Sequence, residues 1–131
     1  MSETKQRTRI TQVGVVMVVV SDQDRAIEFY SEKLGFELRT DTPYGDGDRW
    51  VDVAPAGAVT TLALVPPREG HSVGVPTNIG LTTEDVDADH AYLKEQGVDV
   101  DDVVRVGDPV PPMFFMRDQD GNQIFVVERT G

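Results

Sequence analysis

The chain has no cysteine, which removes disulfides, thiolate metal ligands and cysteine nucleophiles at once. No oxidising compartment has left its mark, so the expected location is the cytoplasm. Serine is scarce: Ser2, Ser21, Ser31 and Ser72 fall at a terminus, a helix cap, a helix surface and a proline-rich segment. A Ser-His-Asp triad therefore has no evident nucleophile. Basic residues are outnumbered, 12 Lys and Arg against 23 Asp and Glu, for a formal net charge of -11. Nucleic acid is excluded as a partner, because phosphate binding needs clustered cations that displace counterions. The acidity favours a cationic partner and, more generally, keeps the chain in solution. Long apolar runs are missing too. The longest, Val13 to Val20, falls far short of the ~20 residues that cross a bilayer and reads as a strand. The polar stretch Met1 to Arg9 carries no export signal and reads as a flexible N-terminus.

What is present is one domain's worth of patterned sequence. A chain of 131 residues buries roughly two-thirds of the surface its unfolded form exposes, enough for a self-supporting core. Ile10 to Val20 is valine-rich and reads as a buried strand, with Val16, Val18 and Val20 on one side and Val15, Met17 and Val19 on the other. Ser21 and Asp22 are helix N-caps. Ala26, Ile27, Tyr30 and Leu34 then form an apolar stripe, and Gly35 ends the helix. Strands follow at Phe36 to Arg39, Trp50 to Val53 and Thr60 to Val65, with turn chemistry at Pro43 to Asp48 and Pro55 to Gly57. Gly45-Asp46-Gly47 reads as a hairpin tip; it is too short for a phosphate loop.

After Pro66 to Pro76, a linker with three prolines and two glycines, the order repeats. Thr77 to Thr82 is a strand, and Glu84 to Gln96 a helix with Val86, Ala88, Leu93, His90 and Tyr92 facing inward. Gly97 ends that helix, and strands follow at Val98 to Val100, Met113 to Arg117 and Gln123 to Glu128. Asp120-Gly121-Asn122 makes a tight turn before the last strand; without the glycine and glutamate of a calcium loop, its polar side chains are expected to bond local backbone. Tyr30 stands five residues before Gly35, as Tyr92 does before Gly97. The chain thus reads as α+β, two βαβββ modules over residues 10–65 and 77–129 joined by the linker 66–76, in a single domain from residue 10 to 131. One helix cannot hide both faces of a four-stranded sheet. The modules are expected to pair into a curved, incomplete mixed barrel, helices outside and a cleft for a small molecule within.

The duplicated order resembles the vicinal oxygen chelate superfamily, which includes glyoxalases, ring-cleaving dioxygenases, fosfomycin-resistance enzymes and bleomycin-binding proteins. The likeness rests on VVVSDQDRAIEFYSEKLGFEL, IGLTTEDVDADHAYLKEQGV and FFMRDQDGNQIFVVE, and it spans Ile10 to Glu128. Metal-binding members would place ligands at Val15, near Leu62 to Leu64, at Asn78 or Thr77, and at Phe125. Aliphatic and aromatic groups with one amide do not coordinate a divalent ion, so neither a metal nor another cofactor is expected. His71 in the linker and His90 on the second helix lie too far apart in the pattern to replace them.

The resemblance therefore implies a metal-independent small-molecule binder of the drug-sequestering kind. The alternative is a glyoxalase-like lyase, isomerase or dioxygenase with a non-standard site. Residues expected to contact ligand are Val15, Met17, Trp50, Asp52, Leu62, Leu64, Asn78, Phe115, Arg117 and Phe125, with Asp52 and Tyr44 as the acid-base candidates. Aromatic faces suit a planar or cationic ligand. The resemblance also implies a homodimer.

Overall fold

The computed structural model describes residues 5–129; part of the expected flexible segment 1–9 and the last two residues lie outside it. Module one runs β1 (Val15–Val19), α1 (Gln23–Glu28), a π-helical turn (Phe29–Lys33), β2 (Glu37–Tyr44), β3 (Asp48–Ala54) and β4 (Thr61–Val65). Module two runs β5 (Pro76–Thr83), α2 (Val86–Glu95), β6 (Asp99–Val100), β7 (Met113–Arg117) and β8 (Gln123–Glu128). The sheets have matching orders, β1-β4-β3-β2 and β5-β8-β7-β6, each with one parallel pair, β1 with β4 and β5 with β8. The fold is α+β, two βαβββ modules that form two mixed sheets without closing a barrel. No described helix is long and apolar enough to cross a membrane.

Local chemistry sets the element ends. Asp22 and Asp85 cap the two helices, accepting from the N–H groups of Arg25 at 3.1 Å and Ala88 at 3.0 Å. Gly35 and Gly97, at φ +73° and +82°, end the helical segments as their spacing predicts. Two boundaries differ from expectation by more than two residues. The first strand begins at Val15 instead of Ile10, because pairing starts where Val15 meets Thr61; upstream, Ile10 and Val13 have no neighbouring strand among the described residues and stay exposed. The strand after α1 extends through Pro43, expected in a turn, to Tyr44. As an edge strand, β2 tolerates a residue that cannot donate to the ladder.

Alternation sorts each sheet into two faces. Val18, Val20, Val51, Val53, Leu62 and Leu64 turn toward the helical side and are buried with Ala26 and Tyr30. Phe114, Met116, Ile124 and Val126 do the same in module two, packed with Val86 and Leu93. His90, expected to point inward, sets its ring edge-on against Phe114 at 5.1 Å, whereas Tyr92 is about half exposed.

The helical sides of both modules meet in one core, so the helices do not lie outside with a cleft between inner sheet faces, the arrangement expected from the sequence; apolar residues on both helices are buried together instead. Three elements of polar contact hold them together. Lys33 Nζ, at the end of the first helical segment, donates to the carbonyl of Gln96 at the end of α2, 2.9 Å. Ser21 donates its N–H and hydroxyl to Asp120, 2.9 and 2.5 Å. The third is a buried clasp. Tyr30 Oη donates to Asp118 Oδ2 at 2.8 Å, and Asn122 Nδ2 donates both to that oxygen and to the carbonyl of Val19, 3.0 and 2.9 Å. Asp118 Oδ1 accepts the N–H groups of Asp120 and Asn122. The turn therefore bonds local backbone as expected and also ties module two to β1. Burial, reinforced by the Asp118 carboxylate, pushes the Tyr30 phenol well above its ordinary value of 10.0.

Candidate functional site

The faces turned away from the helices carry the open surface. On sheet one, Met17 pairs with Ala63, Ala63 with Asp52, and Asp52 with Thr40, so these four form one row across the strands. Val15 and Thr61 share that face on one side of the row. Trp50, opposite Thr42, shares it two residues from Asp52. Val15 and Met17 are 44% and 50% exposed, which for large apolar groups marks this as an uncovered face.

Asp52 is the exception on that surface, being only 9% exposed. Its Oδ2 accepts the Thr61 hydroxyl at 3.1 Å, while Oδ1 is shielded from solvent and has no hydrogen-bond partner among the described residues. An unpartnered buried polar atom costs about 1–3 kcal/mol, more when charged. Tyr44, the other acid-base candidate, stands 52% exposed at the end of β2 and does not approach Asp52 along the strand.

On sheet two, the central row is Gly80, Phe125 and Phe115. The Phe115 and Phe125 rings lie 5.8 Å apart at 48°, and Phe125 folds over Gly80 so closely that a Cβ there would meet its Cζ at 2.5 Å. Glycine leaves the ring room to lie down on the sheet. Arg117 shares the face but is held by Asp99 and Asp101, with contacts of 2.7 and 2.6 Å. Those hydrogen bonds raise its basicity further and leave little of the guanidinium for a ligand. Asn78 is exposed, at φ +62°, within the register irregularity between Pro76 and Gly80. A non-glycine residue in left-handed backbone stores strain and is found disproportionately at functional positions.

The structure thus gathers Val15, Met17, Trp50 and Asp52 on one open face, and Phe115, Arg117 and Phe125 on another. Leu62 and Leu64 turn instead to the helical side, Leu64 wholly buried. The β4 residues that share a face with Val15 and Met17 are Thr61 and Ala63. Sequence reasoning missed Thr61 and Gly80, and within Leu62 to Leu64 it chose the two leucines over Ala63. The parity of β4 was open because Leu62 to Val65 is apolar on both sides, and only the pairing of Val53 with Leu62 decides it.

A separate cavity of about 920 Å³ opens on the helical side, between the modules. Val16, Leu34, Phe36, Leu81 and Leu93 line it, and of the expected ligand contacts only Leu62 and Asn78 border it.

A divalent ion does not fit the family ligand positions. They hold Val15, the stretch Leu62 to Leu64 with Ala63 on the open face, Asn78 or Thr77, and Phe125, and no three His, Cys, Asp or Glu side chains converge among the described residues. His90 Nε2 is 2.8 Å from the Asp101 carbonyl, and Asp118 and Asn122 are spent on the clasp.

Two repeated βαβββ modules, each a four-stranded mixed sheet with one face turned away from the helices, set the class of scaffold. The model of the Glyoxalase/Bleomycin resistance protein/Dioxygenase superfamily matches residues 12–126, and the chain belongs to that superfamily. It is similar to TnmS3, an antibiotic binding protein from Streptomyces sp. CB03234. The two are 39% identical, with a TM-score of 0.85 over 95% of this chain and 100% of that one. A superfamily member from Sphaerobacter thermophilus DSM 20745 is 34% identical, with a TM-score of 0.86 over 93% of this chain and 100% of that one. The uncharacterized protein YetH of Bacillus subtilis (strain 168) is 33% identical over 125 residues, which are 91% of this chain and 99% of YetH.

Proposed function

We propose that this protein binds a planar aromatic small molecule of the antibiotic type without a metal and without transforming it. The observation that carries the reading is Phe125, whose ring reaches over Gly80 beside Phe115 where a chelating relative would present a carboxylate. An aromatic face stacks on a planar ligand and attracts a cationic one, and the net charge of -11 favours the latter. The likeness to an antibiotic binding protein supports the same reading.

Each open face is half a binding site. The exposed Val15 and Met17 on sheet one and the aromatic row on sheet two turn away from the shared core, so a second copy of the chain closes each face. The protein is accordingly a homodimer with the ligand between protomers, where Val15, Met17, Trp50, Asp52, Asn78, Phe115 and Phe125 make the contacts. The absence of cysteine supports a cytoplasmic setting, where a sequestering protein meets a drug that has entered the cell.

The test is titration with a panel of polycyclic aromatic antibiotics, followed by the emission of Trp50, the only tryptophan. Saturable quenching that EDTA leaves unchanged, with the compound recovered intact, is the expected result. Co-purification of one equivalent of zinc, nickel, manganese or iron whose removal abolishes binding would sink the proposal.

A further inference from the structure

We infer that the bound ligand carries a hydrogen-bond donor, an amine or hydroxyl on its planar ring system, and that Asp52 Oδ1 is the acceptor that selects for it. This rests on the binding function proposed above and specifies which aromatic molecules the site takes.

Asp52 is poorly explained by the fold alone. It sits in the middle of a sheet between Val51 and Val53, at a position where aspartate is disfavoured both by strand propensity and by burial. Stability by itself would favour an apolar residue there. The usual compensation for a buried carboxylate is a cation, yet the two flanking arginines are engaged elsewhere. Arg39 bonds Glu37 and the carbonyls of Pro55 and Ala58, and Arg49 bonds Asp24 and Asp41. A single threonine hydroxyl on Oδ2 is the only side-chain bond Asp52 makes among the described residues, and Oδ1 has none.

Its position gives that vacancy a use. Asp52 lies on the helix-free face, two residues along β3 from Trp50, so the acceptor and the indole are separated by on the order of 7 Å along the strand. A ring stacked on Trp50 reaches that distance with a substituent on its far edge. Turning the carboxylate outward brings Oδ1 to such a donor, in a site from which the ligand itself excludes water, where a bond to a carboxylate is strong. Ligands without the donor leave the oxygen unpaired and are rejected, as sites with unmet polar groups reject analogues lacking the matching group.

Three probes separate ring, charge and donor: acridine, N-methylacridinium and 9-aminoacridine, titrated calorimetrically into wild type, Asp52→Val and Asp52→Asn. The wild type is expected to bind 9-aminoacridine about tenfold or more tighter than either other probe, the size of one charge-assisted hydrogen bond. Asp52→Val should erase that preference and melt at or above the wild-type temperature, since an unpartnered buried oxygen is gone. Asp52→Asn, close in shape, should reduce the preference severalfold. Equal loss for all probes, N-methylacridinium binding as tightly as 9-aminoacridine, or a lower melting temperature for both variants would overturn the inference. The last result would make Asp52 a structural partner of Thr61. Failure of the function itself looks different: none of the probes, acridine included, binds the wild type, and the donor inference falls with it.

Discussion

Gly80 and Phe125 face each other across β5 and β8, and a Cβ on Gly80 would lie 2.5 Å from Cζ and 2.6 Å from Cε2 of the ring. The atoms in the way are the far end of a side chain that can swing off the sheet. Gly80→Ala is therefore expected to change stability by less than about 1 kcal/mol, ring displacement being offset by the better strand propensity of alanine. Ligand affinity should nevertheless fall about tenfold, because the stacking platform has moved. Urea unfolding and titration with the same ligand measure the two effects, and an unchanged affinity would remove Phe125 from the site.

Substituting Trp50 or Phe125 by alanine should weaken ligand binding more than it weakens the fold. Both rings lie on open faces away from the shared core, so truncation opens no internal cavity. Phe114→Ala is the contrasting case. That ring is wholly buried, and its loss should cost about 3–5 kcal/mol in denaturant unfolding.

Tyr30→Phe removes the bond to Asp118 that joins the modules and should cost about 2 kcal/mol, the worth of a buried hydrogen bond to a charged acceptor. The wild type also gains an alkaline signature. The folded-state value of Tyr30 is raised by burial and by Asp118, so its contribution is complete below about 10.0, the ordinary tyrosine value, and shrinks as pH rises toward the folded value. The unfolded chain releases the proton first. Unfolding free energies above pH 10 should fall more steeply for wild type than for Tyr30→Phe.

Asp120 gives the opposite limb. Burial opposes its charge, but hydrogen bonds from the hydroxyl and N–H of Ser21 and from Gln119 outweigh it, and its carboxyl is lowered below the ordinary 3.8. Its stabilisation is present above that value and is lost as pH falls through the lowered folded value. The stability difference between wild type and Asp120→Asn should therefore close on acidification below about pH 4, as read from urea midpoints.

Met17→Glu places a charge on the exposed half of the β1 face. Light scattering should report twice the chain mass for wild type and a single chain for the variant, since a closing second copy would bury that charge unpaired. A monomeric wild type would overturn the dimer.

Much of the fold was legible because local rules agreed with the tertiary outcome. Valine alternation in β1, the Asp22 cap and the glycine terminators Gly35 and Gly97 all act within a few residues. Boundaries that depend on a partner were not legible. Ile10 and Val13 have strand character but no strand beside them among the described residues, and Pro43 enters β2 because that strand lies at an edge. The site divided the same way. Val15 and Phe125 could be counted from motifs and Trp50 and Asp52 chosen by residue type, whereas the facing of Thr61, Ala63 and Gly80 needed the register.

The amino-acid order by itself determined the two modules, their family and the absence of chelating groups at the ligand positions, because each is carried by residue type at fixed spacing. Tertiary structure decided what those residues do together. It laid the Phe125 ring in the space above Gly80, put Leu64 in the core and Ala63 on the open face, and turned a local turn at Asp118 to Asn122 into a bond between modules. Contacts across strands and between modules depend on which face each side chain takes, and a single shift of register reverses every one of them.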